Sequence, residues 1–197
     1  LPRASRHRTM QASIAWSEGI LTPEERIVLR RLAVFAGGFS LDDALAVVTG
    51  ADLSRARAIE AVDGLVTQSL LLFDDGRVGP PRYRLLEVIR QHATRRLRQA
   101  GEQQTMRRRH AEHYAACAAE LGSCLARGWD DAAFARLAAD LDNLEAGLRY
   151  LCDQSEHDRA AELLWNTQNV WGLAGPVMAT GVVQHLLTHG DTLSLDS

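Results

Sequence analysis

Apolar residues recur at helical spacing in the first half of the chain and predict three helices. The apolar face of the first helix consists of Val28, Leu32 and Phe35. The apolar face of the second, with spacing i, i+3, i+4 and i+7, consists of Leu41, Ala44, Leu45 and Val48. The apolar face of the third consists of Ile59, Val62 and Val66. A hydroxyl residue that can cap the backbone precedes each helix, namely Thr22, Ser40 and Ser54. The three faces are expected to meet in one core.

A β-hairpin and a closing helix are predicted next. The apolar run 70–73 is typical of a strand, the segment 74–77 (Asp-Asp-Gly-Arg) of a turn, and residues 83–85 of the returning strand. The closing helix, from about residue 86 to residue 100, is expected to turn four side chains inward: Leu86, Ile89, Ala93 and Leu97. Gly101 follows its end, where glycine is favoured. Residues 1–101 therefore form a linker and a first domain.

Residues 102–197 show a helical pattern without a strand signal. One apolar stripe steps by three and four residues, as one face of a helix does, and consists of Phe134, Leu137, Leu141, Leu144, Leu148 and Leu151. Further helices are expected over residues 102–121, 157–173 and 177–188. Short polar connections such as residues 153–156 favour antiparallel neighbours. The predicted fold class is mainly α, with a small β-hairpin in the first domain and an antiparallel helical array in the second.

Charge divides the chain in the same way. Residues 1–109 hold 18 arginines against 12 acidic residues, a formal charge of +6, whereas residues 110–197 hold 4 against 13, a formal charge of −9. This asymmetry predicts two domains with different partners, or two parts that attract each other.

All 22 basic positions are arginine, and lysine is absent. A Walker A loop needs a lysine that reaches the β- and γ-phosphates of the nucleotide. These residues therefore contain no complete P-loop ATPase. No nucleophile with a partnering base and acid is evident either, so no catalytic residue is predicted and the chain is not expected to be an enzyme.

Membrane and metal sites are not expected. No apolar run reaches the roughly 18 residues that span a bilayer, and the odd number of cysteines, three, is typical of reduced thiols in a cytoplasmic protein. His110, His113 and Cys117 lie at i, i+3 and i+7 and could offer nitrogen and sulfur to zinc. A fourth ligand is not evident, so an amphipathic helix is the better interpretation.

Five segments carry a family resemblance in their order along the chain. They are RHRT with IAWS at residues 6–17, LAVFAGGF at 32–39, YRLLEVIRQHA at 83–93, RHAE at 109–112 and DLDNLEAGL at 140–148. Together they resemble the winged-helix and helical-repeat region of bacterial STAND regulators, NB-ARC-like signal-transduction ATPases of the LuxR or antibiotic-regulator type. The resemblance implies a winged helix within residues 1–101 and a tetratricopeptide-like array within residues 102–197.

The resemblance also implies partners. In such regulators a nucleotide-binding domain that holds ATP or ADP precedes this region in the same chain, and the winged helix closes over the nucleotide. The helical array binds a protein or a small-molecule effector, and DNA is bound by another domain. We therefore expect a regulatory fragment that lacks the nucleotide-binding domain, in which the winged helix is a nucleotide-responsive switch element.

The nucleotide-facing candidates follow from one motif. In apoptotic and plant-immunity relatives the winged helix ends in Met-His-Asp, whose His approaches the β-phosphate, whereas this chain has Leu85-Leu86-Glu87. Leucine cannot donate a hydrogen bond, but Glu87 keeps an acid there and Arg84 or Arg90 could supply a positive group. The candidates are Arg6, Arg8, Arg84, Leu86, Glu87 and Arg90. The alternative is that Leu86 belongs to the core and Arg90 is a solvated helix residue.

A second function remains open, the winged-helix DNA-binding domain of a transcription factor. Its candidate contacts are Arg55, Arg57 and Arg77. Four acids on the same helix and turn would face phosphates unfavourably, namely Glu60, Asp63, Asp74 and Asp75. A further basic set could meet phosphates or an acidic protein, or be solvated, and consists of Arg95, Arg96, Arg98, Arg107, Arg108 and Arg109.

Overall fold

The computed structural model describes residues 19–76 and 80–171. The chain divides into two compact units, residues 1–106 and 107–197. This division lies within the helix Gln103–Arg127. The domain boundary after Gly101 stays a prediction, and each unit is described here by itself.

The described part of the first unit has the predicted order of elements. Three helices come first: α1 (Pro23–Leu32), α2 (Leu41–Val48) and α3 (Arg55–Thr67). An antiparallel hairpin of β1 (Leu72–Asp74) and β2 (Arg82–Arg84) follows, and helix α4 (Glu87–Gln99) closes the unit. The predicted fold class, mainly helical with a small two-stranded sheet, is confirmed.

The helix starts form as the capping residues predict. Thr22 Oγ1 accepts from the Glu25 backbone N–H at 3.1 Å, while the Glu25 carboxylate accepts from the Thr22 N–H at 2.7 Å. Ser40 and Asp43 form the same reciprocal pair at the start of α2. These capping boxes satisfy backbone donors that have no partner inside the helix. At the other end of the unit, Gly101 adopts the positive φ of +72° that ends α4.

The hairpin begins later than the apolar run suggests. The backbone N–H groups of Leu70 and Leu71 donate to the Leu65 carbonyl at 2.9 and 3.2 Å, so these two residues close the end of α3 and the strand begins at Leu72. Within the hairpin Phe73 pairs with Tyr83. Tyr83 also exchanges two backbone hydrogen bonds with Phe39, at 3.0 and 2.8 Å, which join β2 to the segment before α2.

Two predicted core residues were placed wrongly. Ile59 is 41% exposed, because the small residues Ala58 and Ala61 bring a neighbouring face of α3 against the core. Leu86 is also 41% exposed. It occupies the N-cap of α4 with extended backbone, φ −64° and ψ 144°, and so lies outside the helical stripe that points inward. Leu85, 8% exposed, is buried in its place.

The described part of the second unit is entirely helical. Its helices are α5 (Gln103–Arg127), which begins in the first unit, α6 (Asp131–Ala139), α7 (Leu141–Asp153), α8 (His157–Asn166) and α9 (Gln168–Trp171). The apolar stripe predicted from residue 134 to residue 151 is divided between α6 and α7 at Asp140. The helix predicted over residues 177–188 lies outside the described residues.

Two glycines allow close packing between helices of the second unit. A Cβ on Gly122 of α5 would lie 2.5 Å from the backbone oxygen of Asn166 at the end of α8. A Cβ on Gly147 of α7 would lie 3.5 Å from the Cα of Ala111 of α5, an ordinary van der Waals distance. Only the first contact therefore requires glycine. Over residues 19–76 and 80–171, no helix combines the length and the apolar character needed to cross a membrane.

Candidate nucleotide and nucleic-acid interfaces

The first turn of α4 holds two nucleotide-facing candidates in one ion pair. Arg90 Nη2 and Nε lie 2.6 and 3.0 Å from Glu87 Oε2, and Gln91 Nε2 donates to Glu87 Oε1 at 2.7 Å. The hydrogen bonds from Arg90 and then Gln91 lower the pKa of Glu87. Glu87 is therefore an engaged carboxylate, and Arg90 would have to leave it to reach a phosphate.

The remaining nucleotide-facing candidates lie around this turn or outside the described residues. Arg84 is exposed at the end of β2, in register with Leu72. Leu86, the residue that replaces the motif histidine, faces solvent between β2 and α4. The structure thus presents Arg84, Leu86 and Glu87 on the surface where the hairpin meets α4, while Arg6 and Arg8 belong to the undescribed residues 1–18.

The two α3 arginines proposed for DNA contact are both paired with acids. Arg55 Nη2 lies 2.7 Å from Asp42 Oδ1 in α2, and Arg57 Nη1 lies 2.5 Å from Glu24 Oε1 in α1. These pairs join α3 to the other two helices and neutralise its basic end. The third candidate, Arg77, lies in the undescribed segment 77–79.

Acidic side chains lie on α3 and the hairpin turn, the elements that a DNA-binding winged helix would place against DNA. Glu60 and Asp63 are exposed on α3, and Asp74 and Asp75 are exposed at the hairpin turn. Asp74 Oδ1 accepts from the Gly76 N–H at 3.2 Å, which helps to form the turn. Neither α3 nor the described part of the turn therefore offers an excess of positive charge to a phosphate backbone.

Three helices, a hairpin and a closing helix form the first unit, and a known sequence family covers the same segment. The family model of the winged helix-turn-helix domain matches residues 21–98. This segment is a winged helix. In such domains the helix after the turn reads the major groove of DNA when DNA is bound. Here that helix is α3, and the hairpin β1–β2 is the wing.

Relatives with curated names are described as candidate transcriptional regulators or as uncharacterized proteins. A Mycobacterium tuberculosis protein, named as a candidate HTH-type transcriptional regulator, is 37% identical over 166 residues, which are 84% of this chain and 18% of that protein. An uncharacterized Mycobacterium bovis protein is 36% identical over 107 residues, 54% of this chain and 27% of its own length. The chain thus spans about a fifth to a quarter of these curated relatives. No solved structure matches it at a significant level.

The first unit also contains an ion-pair cluster around one buried arginine, which the sequence pattern did not predict. Arg31, at the end of α1, is 5% exposed and donates to Asp52 Oδ1 at 3.1 Å and to Glu102 Oε1 at 2.9 Å. Its Nη1 also donates to the Val48 carbonyl at 2.9 Å. Arg30 adds hydrogen bonds of 2.8 and 2.9 Å to Glu102. This Arg31 cluster (Arg30, Arg31, Asp52 and Glu102) ties α1 to the segment before α3 and to the segment after α4.

The charge states in the Arg31 cluster reinforce one another. The hydrogen bond from Arg30 is the largest cause that lowers the pKa of Glu102 from 4.5 to about 2, and Arg31 adds to it against the opposing effect of burial. The hydrogen bond from Arg31 likewise lowers the pKa of Asp52. Two charged carboxylates therefore face two guanidinium groups, so the cluster as a whole is neutral.

The helical unit holds the two histidines, His110 and His113, that the sequence offers as zinc ligands. His110 is buried, and its Nε2 lies 3.3 Å from Asn143 Oδ1 of α7. His113 Nε2 lies 3.6 Å from Cys117 Sγ one turn further along α5. His110 also packs against the ring of Tyr114, with ring centroids 4.8 Å apart. Within this unit His110 thus takes part in the packing of α5 against α7.

Proposed function

We propose that this chain is the switch and interaction region of a larger transcriptional regulator. The winged helix is the nucleotide-responsive element between domains, and the helical region is the surface for a protein or small-molecule effector. ATP or ADP is held by a nucleotide-binding domain of the same protein, and DNA is read by a further domain. The small share of its relatives that the chain covers leaves room for such domains.

The charge state of α3 is the observation that carries this proposal. A winged helix that reads DNA brings this helix and its flanks against two strands of phosphates. Here Arg55 and Arg57 are paired with Asp42 and Glu24, and further acids are exposed on the helix and at the wing. Breaking both pairs to free the arginines would leave two additional carboxylates near the phosphates. The winged helix is therefore better suited to contact another protein domain than to read bases.

The junction between the wing and α4 supports the nucleotide-responsive role. Leu86 is a large apolar side chain that the unit leaves exposed, and it lies next to the Glu87–Arg90 ion pair. An apolar side chain with charged neighbours fits the pattern of an interface, in which an apolar centre is surrounded by a polar rim. In that arrangement Arg90 or Arg84 supplies the positive charge for a phosphate, and Glu87 releases Arg90 when the phosphate is present.

The isolated chain is expected not to bind ATP or ADP with micromolar affinity, because its sequence contains no lysine for a phosphate-binding loop. Isothermal titration calorimetry with each nucleotide measures this directly. A dissociation constant of about 1 μM, equivalent to about −8 kcal/mol, would show that these residues form a nucleotide site by themselves.

The longer protein gives the complementary test. Arg90→Gln is expected to change its relative affinity for ATP and ADP several-fold, since Arg90 then no longer reaches the phosphates. Arg149→Gln is the matched control, because Arg149 forms an equivalent pair with Glu145 on a helix of the other unit. Equal nucleotide affinities in the wild type and Arg90→Gln would remove Arg90 from the proposed site.

DNA binding by the winged helix itself is the second candidate, and the match to the winged helix-turn-helix family favours it. If α3 reads bases, selection from a pool of random duplexes should yield one operator preferred by about 1000-fold at physiological salt. The double substitution Arg55→Gln and Arg57→Gln should then abolish the preference. We expect instead that selection enriches no sequence and that this double substitution changes duplex affinity less than two-fold.

A further inference from the structure

Helix α8 presents an exposed tryptophan and two acidic side chains on one side. Trp165 is 71% exposed. Asp158 and Glu162 precede it on the same helix and are exposed as well. Positions i, i+4 and i+7 share one side of a helix, so these three residues form one surface, which we call the α8 outer face (Asp158, Glu162 and Trp165). Because tryptophan is highly buried on average and is enriched where proteins bind one another, this face is a candidate contact surface.

Packing on the opposite side of the helix fixes this orientation. Ala160, Leu163 and Thr167 are buried. Thr167, which ends α8, donates from Oγ1 to the Leu163 carbonyl at 2.6 Å and accepts from Trp171 Nε1 at 2.7 Å. Rotating α8 to bury Trp165 would break this packing and expose Leu163. The α8 outer face is therefore held outward by the core of the helical unit.

The acids of the α8 outer face are available to a partner. Neither Asp158 nor Glu162 forms an ion pair or a side-chain hydrogen bond with another described residue. Residues 110–171 hold 11 acidic residues against 4 arginines, a formal charge of −7. Three of these arginines pair with acids other than Asp158 and Glu162, in the pairs Arg136–Asp140, Arg149–Glu145 and Arg159–Glu156. A cation that approaches the α8 outer face therefore displaces none of these three arginines.

The other exposed tryptophan among the described residues of this unit has a structural role instead. Trp129 is 68% exposed, but its ring packs against Phe134 with centroids 5.0 Å apart, and its Nε1 donates to Asp131 Oδ1 at 2.6 Å. The neighbouring Asp130 caps α6 by accepting from two backbone N–H groups at 2.9 and 3.0 Å. Trp129 and both acids thus help to form the start of α6, and they make a matched comparison for the α8 outer face.

A guanidinium group fits the α8 outer face. The face of an indole ring attracts a cation, and a planar guanidinium stacks on it while its N–H edge stays free for a carboxylate. Glu162 lies one helical turn from Trp165, at a Cβ separation of about 5–6 Å, so one arginine can contact both side chains. Asp158, a further turn away, can accept a second cation. A phosphate-bearing partner would instead meet two negative charges.

We infer that the α8 outer face binds a basic peptide segment of a partner protein. One arginine of the segment stacks on Trp165 and donates to Glu162, and a second cationic residue pairs with Asp158. The inference rests on the proposed role of the helical region as an interaction surface, and it specifies the chemistry of the partner. The negative charge of residues 110–171 also favours the approach of a basic segment over an acidic one.

The test uses a short fluorescein-labelled peptide of alanine and glutamine that carries two arginines four positions apart. A second peptide has citrulline, which is neutral and has nearly the same shape, in place of both arginines. Fluorescence anisotropy with the complete chain measures the affinity of each peptide. Nuclear magnetic resonance locates the contact through the indole N–H signal of Trp165, which is identified as the signal missing from the variant W165L. Thermal unfolding by circular dichroism shows that each variant is folded.

The arginine peptide should shift the Trp165 indole signal, and W165L should bind it about three-fold more weakly, the size of an exposed cation–π contact. D158N/E162Q should bind it about five-fold more weakly at low salt, and this difference should shrink at high salt because the charges are exposed. The control D142N/E120Q removes the same charge, and Asp142 holds the position in the first turn of α7 that Asp158 holds in α8. It should change the affinity less than two-fold.

Several results would overturn the inference. They are an unshifted Trp165 signal at millimolar arginine peptide, equal binding of the citrulline peptide, or equal losses in D158N/E162Q and its control. A Trp165 signal that shifts on dilution without peptide would assign the face to a second copy of the chain. A loss in W129L that exceeds the loss in W165L would move the site to Trp129 and leave the proposed interaction role intact. The proposed switch function fails separately, through unchanged nucleotide affinities of Arg90→Gln in the longer protein.

Discussion

Glu102→Gln is expected to lower the free energy of unfolding of the first unit by about 3 kcal/mol, as is typical when a buried charge loses an ion-pair partner. Glu102 accepts hydrogen bonds from both Arg30 and Arg31. Without its charge, Arg31 remains buried and keeps only Asp52 as a charged partner. Urea denaturation followed by circular dichroism measures the loss as a lower midpoint with an unchanged slope.

Glu87→Gln is the matched control, because it removes one acid from an arginine pair at the surface of the same unit. The Glu87 side chain is 56% exposed, against 22% for Glu102. Exposed pairs contribute about 0–1 kcal/mol, so this variant should unfold close to the wild type. Similar midpoints for the two variants would mean that the Arg31 cluster does not stabilise the fold.

Acid should remove the same stabilisation in the wild type. The pKa of Glu102 is lowered from 4.5 to about 2 in the folded chain. A carboxyl group with a lowered pKa stabilises the fold above its unfolded pKa and loses that contribution as pH falls toward the folded one. The difference in unfolding free energy between wild type and Glu102→Gln should thus be constant above about pH 5 and shrink between about pH 4.5 and pH 2. A difference that persists at pH 2 would assign the stabilisation to packing instead of charge.

Local sequence signals predicted where the helices of the first unit start and where its turn and its last helix end lie. The caps at Thr22, Ser40 and Ser54 mark the helix starts because a side-chain oxygen there satisfies backbone donors of the first turn. Gly76 and Gly101 mark a turn and a helix end because both take positive φ. Such signals depend on a few neighbouring residues. They can therefore be recognised in the sequence without knowledge of the tertiary fold.

Errors arose where tertiary packing decides between neighbouring positions. Ile59 and Ala58 are adjacent on α3, and hydrophobicity alone favours burying the larger one. The core accepts the small Ala58, which lets the helix approach. Leu86 satisfies the helical spacing, yet it precedes the helix as its N-cap, so the spacing does not apply to its side chain.

The ionic contacts of the candidate site depend on pairs far apart in the chain. Arg31 and Glu102 are separated by 71 residues, and Arg57 and Glu24 by 33. The sequence shows two clues to the first pair. Adjacent arginines end α1, and Glu102 is the first acid after the acid-free stretch 88–101. Neither clue identifies the partner, because charge patterns do not specify which surfaces meet. The nucleotide-facing role of Arg84, Leu86, Glu87 and Arg90 stays a prediction.

Gly122→Ala is expected to destabilise the helical unit by about 2–3 kcal/mol, the usual cost of overpacking a close helix contact. The new Cβ would lie 2.5 Å from the backbone oxygen of Asn166 and 3.0 Å from its Cα. Backbone atoms cannot rotate away as a side chain can, so α5 and the end of α8 must separate. Thermal unfolding of the complete chain, read at the transition of this unit, measures the effect.

Gly147→Ala provides the control, since Gly147 is also a buried helix residue of the same unit. Its Cβ would lie 3.5 Å from the Cα of Ala111, so the methyl group fits the existing space. Both substitutions gain up to about 1 kcal/mol of helix propensity. Gly147→Ala should therefore be neutral or stabilising, and the difference between the two variants isolates the contact with Asn166. If Gly122→Ala proved as stable as Gly147→Ala, α5 and α8 would have to pack further apart than the structure places them.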